Sequence, residues 1–312
     1  MHFLSWVIFA CAPGDLQFLR SGLWVDGQEG QILGSPIALA GDGKNTYVLD
    51  QSDFKIKVFD PDGEQTRQFG NRGQGPGEFE LPVSIAYLEH ELWVYDGNKG
   101  AVLKFTPDGK FMGTLRLMRG YELLFFADGL LLQAVFDKYL FHRYDSNGEK
   151  RLSFCEGFTK VTGIFEAYDL IAKTCLDEAN GLFYAFYQHG RFFEVYRLVD
   201  GVLLRKQNLD LERFTAKPQK RSELNQGMGV FVMENGQPVK GVVKTDRDIC
   251  LLIRNENAEE LSYLGILGDS GEFKLIQPTP SFFTDMFYSH GIFTFTNREA
   301  GTLFQYRIEI PE

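Results

Sequence analysis

Residues suited to metal or nucleophile chemistry are scarce in this chain. Of its 312 residues, four are cysteine and five are histidine. Cys11, Cys155, Cys175 and Cys250 show no C-x-x-C spacing. The last three lie in or beside apolar runs, so they are expected to be buried thiols rather than a disulfide framework, with a Cys155–Cys175 bridge left open. Among His2, His90, His142, His189 and His290, no two stand at a close metal-ligand spacing, which argues against a histidine-held zinc. No Gly-x-Ser-x-Gly elbow occurs. Lys and Arg total 32 against 42 Asp and Glu, a formal net charge of −10 with no long basic run. Phosphate backbones are bound by clustered cations, so nucleic acid is not an expected partner. No apolar run reaches the ~18–20 residues that a membrane-spanning helix needs, and alanine-rich helical stretches are missing.

What the chain does have is aromatics and glycine. Aromatics make up 14% of it, with 29 Phe and 13 Tyr, and glycine numbers 33. Aromatic side chains suit pleated, half-buried strands, and glycine supplies tight turns. A strand closed by a turn recurs along the sequence. Phe54–Gly63 reads FKIKVFDPDG, an alternating strand ending in the Asp-Gly hairpin signal. It returns at Ala101–Gly109, Leu140–Gly148 and Phe192–Gly201, more weakly at Ser262–Gly271, and last at Thr302–Ile308. A second short strand precedes each copy, at Tyr47–Asp50, Leu92–Asp96, Leu130–Phe136, Leu182–Tyr187, Ile249–Arg254 and Ile292–Thr296. Before those stand apolar runs fit for innermost strands, at Pro36–Ala40, Pro82–Leu88, Tyr121–Phe126, Tyr168–Cys175, Val239–Lys244 and Phe282–Tyr288. A repeat of ~40–50 residues holding four strands predicts an all-β, six-bladed β-propeller.

The last copy ends almost at the C-terminus, which leaves blade six without an outer strand. Leu16–Val25, LQFLRSGLWV, is strand-like and otherwise unassigned. Pairing it onto Thr302–Ile308 would complete that blade and close the ring, removing an open edge and an uncovered apolar face.

Phe69–Pro82, FGNRGQGPGEFELP, together with Thr46–Asp50 and Lys57–Asp60, resembles an NHL repeat. The likeness is close over 36–116, weaker over 121–210, and reduced to strand rhythm beyond. It implies the six-bladed group that includes NHL proteins and bacterial envelope lipoproteins of unknown activity. Fold of this kind does not specify function.

Met1–Ala10 is almost wholly apolar and Cys11 follows it. Ile8-Phe9-Ala10-Cys11 resembles a bacterial lipobox, which implies a signal segment over 1–11, lipidation of Cys11, and a propeller over 12–312 facing the periplasm or exterior. The run departs from the pattern in having no Lys or Arg ahead of a short apolar core. The alternative is an unprocessed N-terminal strand of a cytoplasmic protein.

The b–c turns carry Asp50, Asp53, Asp96, Asn98, Asp137, Asn255, Asn257 and Asn297. Such oxygens suit calcium, but Asx side chains more simply cap tight turns. Gluconolactonase-like propellers begin their first blade with Glu-Gly-Pro, whereas Gly34-Ser35-Pro36 stands here. Gly73-Gln74-Gly75-Pro76-Gly77 lacks the Lys and helix of a phosphate loop and fits a crossover with positive φ. The longest connection, Leu211–Pro238, concentrates Arg213, Lys217, Lys220 and Arg221 in an acidic chain, a candidate partner-binding loop. These residues favour a monomeric, non-catalytic binding propeller of the cell envelope. It would need no cofactor, take a protein, peptide or glycan on its channel face, and meet the membrane only through a lipid anchor. The alternative is a propeller enzyme, a hydrolase, lactonase or lyase, using channel carboxylates with a divalent metal.

Overall fold

A computed structural model of the chain describes residues 16–25, 33–134, 137–156, 170–187, 191–214, 238–255, 261–268, 270–298 and 300–310. They form six four-stranded antiparallel sheets set around an axis. Blade one is β2 (Pro36–Gly41), β3 (Thr46–Asp50), β4 (Lys55–Phe59) and β5 (Gln65–Phe69). Blade two is β6 (Pro82–Leu88), β7 (Glu91–Asp96), β8 (Ala101–Phe105) and β9 (Phe111–Arg116). Blade three is β10 (Glu122–Phe126), β11 (Gly129–Gln133), β12 (Tyr139–Tyr144) and β13 (Lys150–Glu156). Blade four is β14 (Ala172–Asp177), β15 (Leu182–Tyr187), β16 (Phe192–Arg197) and β17 (Leu203–Asn208). Blade five is β18 (Val239–Lys244), β19 (Ile249–Arg254), β20 (Ser262–Leu267) and β21 (Phe273–Pro278). Blade six is β22 (Asp285–Ser289), β23 (Ile292–Asn297) and β24 (Thr302–Glu309), completed by β1 (Gln17–Val25).

Within each blade, buried positions concentrate in the second and third strands, while outer strands such as β5 and β9 alternate half-buried and exposed residues. The second and third strands have a blade on either side, so both their faces are apolar. The outer strand keeps one face in water, hence its period of two. Each pair of neighbouring blades shares an apolar cluster. The cluster between blades six and one, Val25, Leu33, Val48, Phe59 and Leu303, is the smallest among the described residues.

Closure runs as the sequence predicts. β1 pairs antiparallel with β24 from Gln17 opposite Glu309 to Val25 opposite Leu303. Leu16 is 1% and Val25 0% exposed. The Leu16 N–H donates to Gln277 Oε1 at 2.7 Å, and Gln277 Nε2 donates back to the Leu16 carbonyl at 2.8 Å. That exchange ties the N-terminal strand to blade five as well as to its own sheet.

Two innermost strands are shifted, and that of blade four runs Ala172–Asp177 rather than Tyr168–Cys175. The innermost strand of blade six begins at Asp285, not Phe282, because Thr284 turns its N–H and hydroxyl onto the Thr296 carbonyl. Phe283 is fully buried without being in a strand, so its apolarity reflects packing rather than pairing. The cysteines are free thiols as expected, with no Cys155–Cys175 bridge; Cys175 and Cys250 are buried and Cys155 only half-buried. Burial pushes the Cys250 thiol up to about 12 and Cys175 higher still, which leaves both inert at neutral pH.

Candidate functional site: the central channel

The six innermost strands, β2, β6, β10, β14, β18 and β22, line a channel of about 1000 Å³. Ile37, Leu39, Val83, Leu124, Ile171 and Phe287 give its walls apolar stretches, set among polar side chains at both ends. At the a–b end, where the strands leave the axis, Tyr87, Phe125, Tyr288 and His290 stand at the rim. At the d–a end, where they enter, five charged side chains meet: Glu122 of blade three, Lys173 of blade four, Lys240 of blade five, and Asp285 and Arg298 of blade six.

Glu122, Lys173, Asp285 and Arg298 are linked to one another. Thr174 donates its hydroxyl to Glu122 Oε2 at 2.8 Å. Arg298 Nη2 donates to Asp285 Oδ1 at 2.9 Å, and its Nε lies 2.6 Å from Oδ2. Lys173 Nζ reaches from blade four to within 4.0 Å of Asp285 Oδ1. Burial pushes the Glu122 carboxyl above its ordinary value, with Lys173 and Thr174 pulling it partly back. Asp285 is raised by the same desolvation, offset in part by Lys173 and Arg298. Beside Glu122 in the ladder, Gln133 is 2% exposed. Its Nε2 donates to the Ala172 carbonyl at 3.2 Å, while its Oε1 finds no donor among the described residues.

None of these channel residues stands out as a motif. Their signal is a charge set inside an otherwise apolar innermost strand: Glu122 in ELLFF, Lys173 in AKTCLD, Lys240 in VKGVVK and Asp285 in DMFYS. Blades one and two carry no such charge at the matching positions of PIALAG and PVSIAYL.

Asp50, Asp96 and Asn297 behave as caps, and Asn257 lies outside the described residues. Asp50 accepts the Gly34 and Ser35 N–H groups at 2.7 and 2.8 Å and pairs with buried Lys57 at 2.7 Å. Asp96 accepts the N–H groups of Glu80, Asn98 and Lys99 at 2.6, 3.1 and 3.0 Å. Each thereby pins the incoming crossover to the end of a b strand. Asn297 does the same for blade six, donating to the Phe282 carbonyl at 3.3 Å. In the glycine-rich crossover, the Gly75 N–H donates to Glu78 Oε2 at 2.8 Å, so the chain's own carboxylate fills the place a phosphate would take. Gly77 there has φ of +76° and packs against Phe111, where a Cβ would sit 3.1 Å from the ring's own Cβ.

The described histidines, His90, His142 and His290, are dispersed, and His2 and His189 lie outside the described residues. His90 and His290 are exposed turn residues of blades two and six. His142 is buried between blades two and three; it contacts the Tyr139 carbonyl through Nε2 at 3.0 Å and Ser153 Oγ through Nδ1 at 2.8 Å. The carbonyl requires a proton on Nε2, so Ser153 donates to Nδ1. Among the described residues, no three His, Cys, Asp or Glu side chains lie together as a metal site would need.

Cys11, Lys217, Lys220 and Arg221 lie outside the described residues. Arg213 falls in a single 3-10 turn, Glu212–Phe214, that follows β17. This turn is anchored by Leu211 and Phe214, which pack into the cluster between blades four and five. No helix among the described residues is long and apolar enough to cross a membrane.

Residues 33–160 match the model of a family described as 6-bladed beta-propeller, DUF5128. No curated protein matches the chain in sequence. A member of the DUF4221 family from Bacteroides vulgatus superimposes with a TM-score of 0.62 at 9% identity, covering 95% of this chain and 99% of that one. A Bacteroides fragilis protein described as exported gives 0.60 at 12%, covering 95% and 96%. Virginiamycin B lyase from Staphylococcus aureus gives 0.52 at 12%, covering 90% and 81%. At such identities the likeness shows architecture alone, and with the strand order it establishes the chain as a six-bladed β-propeller, similar over 33–160 to the DUF5128 family.

Proposed function

We propose that this is an NHL-like, non-catalytic binding propeller of the cell envelope that takes a protein, peptide or glycan ligand in its central channel. The channel carries the reading. A concave cavity of about 1000 Å³, lined by apolar and polar side chains with charged groups converging at its d–a end, has the form of a ligand site. The polar groups belong to four different blades, so a bound ligand would touch most of the ring. Ala86 on β6 lines the same wall and offers a clean perturbation. Ala86→Trp fills the channel without touching the charged end. Peptide and glycan libraries screened against wild type and Ala86→Trp test the proposal: ligands should be lost from the variant at unchanged melting temperature. Binding that ignores Ala86→Trp would place the site elsewhere.

The alternative, a metal-assisted hydrolase or lyase, has one observation in its favour: Glu122 and Asp285 both face the channel with raised pKa values. Each already has a partner in Thr174 or Arg298, which suits a fixed recognition surface better than a free acid or base. Divalent-metal titration by calorimetry separates the two readings.

For address, we propose anchoring through a lipid on Cys11. Replacing Cys11 with Ser should move the protein from the membrane fraction to the soluble fraction; membrane association unchanged by the substitution would refute the anchor.

A further inference from the structure

We propose that Lys173 reads a free carboxylate on the ligand, so that the channel selects an acidic end group such as a peptide C-terminus or a uronic acid. The inference rests on the channel-binding reading above.

The first support is the sign of the charge. The chain as a whole carries −10, yet at the d–a end of the channel Lys173, Lys240 and Arg298 outnumber Glu122 and Asp285.

The second support is an anion already in place. Lys173 Nζ and Arg298 Nη2 converge on one oxygen, Asp285 Oδ1, at 4.0 and 2.9 Å. Arg298 also brings Nε to 2.6 Å from the other oxygen. Arg298 therefore pairs with Asp285 through the Nη2 hydrogen bond, its Nε close but without hydrogen-bond geometry, and the contact made by Lys173 is long. Breaking a buried pair is costly when it leaves a charge uncompensated. Swinging Lys173 away leaves Asp285 paired with Arg298, so a ligand carboxylate can take the lysine at the expense only of its Coulombic contact with Glu122.

The third support is position. The Lys173–Asp285 contact joins blade four to blade six and passes over blade five. It lies across the channel rather than inside a blade interface, where a ligand reaching this end must meet it. Nearby, Gln133 is held in one orientation because its Nε2 donates to a carbonyl; turning the amide would set Oε1 against that oxygen. Its Oε1 is left as an acceptor without a donor among the described residues. An N–H one or two bonds from the carboxylate, as in a terminal peptide unit or an N-acylated sugar acid, matches that acceptor after a small shift of the side chain.

The test uses four probes on the full chain by titration calorimetry: acetylated trialanine with a free carboxyl end, its amide, glucuronic acid and glucose. At least one acid should bind, and its neutral counterpart about tenfold or more weaker. Which acid binds distinguishes a peptide from a glycan source. Lys173→Met should weaken the acid by a similar factor, Lys173→Arg should retain it, and added salt should weaken it in wild type. Equal binding of acid and neutral forms, indifference to Lys173→Met, or no binding of either acid would overturn the assignment. A neutral ligand that Ala86→Trp excludes would leave the channel reading standing while this one falls. Acid binding that survives Ala86→Trp would bring down the channel reading itself.

Discussion

Cutting the hold of β1 on blade six should open the ring, and the loss can be estimated from two side chains. Leu16 and Val25 stand at opposite ends of the strand and are both fully buried. Leu16 packs with Phe283, Phe295 and Tyr306, and Val25 with Val48, Phe59 and Leu303 of the seam to blade one. A buried Leu→Ala change costs ~2–5 kcal/mol. Val→Ala removes two methyl-sized groups, ~1.6 kcal/mol by transfer alone at ~0.8 each. The sites share no cluster, so the effects should add, to roughly 4–7 kcal/mol. Unfolding entropy near ~2.1 cal/mol/K per residue gives about 0.65 kcal/mol/K for this chain, hence a fall in Tm of about 6–11 °C. That is a large share of a typical ~5–15 kcal/mol stability. The assay is differential scanning calorimetry of the Leu16→Ala/Val25→Ala variant. Leu19→Ala serves as control, since Leu19 on the same strand is 43% exposed and should change stability by no more than ~0.5 kcal/mol. A double variant that melts with the control would show that the ring is held shut elsewhere.

Lys57→Met should cost ~3–5 kcal/mol in urea unfolding, because it strips the buried Asp50 of its cation; a loss below ~1 kcal/mol would mean that the Gly34 and Ser35 N–H groups suffice. Glu122 has a raised folded pKa, so its contribution to stability is fullest below the ordinary carboxylate range and is lost as pH rises through the folded value. Glu122→Gln should therefore raise Tm at neutral pH and lose that advantage in acid, which a pH series of melting curves will show. His142 runs the other way: burial depresses its pKa, so its contribution is present above ~6.5 and fades as pH falls through the folded value. His142→Gln should flatten the acid limb of the same pH series. Reversing Arg213, Lys217, Lys220 and Arg221 to Glu should abolish capture of an acidic partner without lowering Tm, and salt-insensitive capture would argue against the loop.

The strand rhythm was legible because each blade repeats the same local chemistry. Lys55–Phe59, Ala101–Phe105 and Phe192–Arg197 all alternate or run apolar into a turn of Asp, Asn and Gly, and that pattern needs no knowledge of neighbours. Closure could be read by elimination, since Leu16–Val25 had no other strand to join. Asp50 and Asp96 were readable as caps, although the distance they reach, to crossovers 15–16 residues upstream, was not. The channel cluster could not be read in advance. Glu122 and Lys173 are single charges in apolar strands, and what makes them a site is that the ring brings strands from blades three, four and six to one axis. Phe282-Phe283 misled for a related reason: apolarity reports burial, and the boundary at Asp285 was set by a threonine hydroxyl.

The pairing of Gln17 with Glu309 also dictates an order of assembly. Of the described strands β1 is made first and its partner β24 last, so blades one to five can form on a growing chain while the seam stays open. Joining ends nearly 300 residues apart carries a loop entropy of about 5 kcal/mol, and the contacts that offset it include the smallest of the inter-blade clusters. The seam should be the last part of the ring to fold and the first to breathe. Amide exchange in β1 and β24 should report that opening before any other blade gives way.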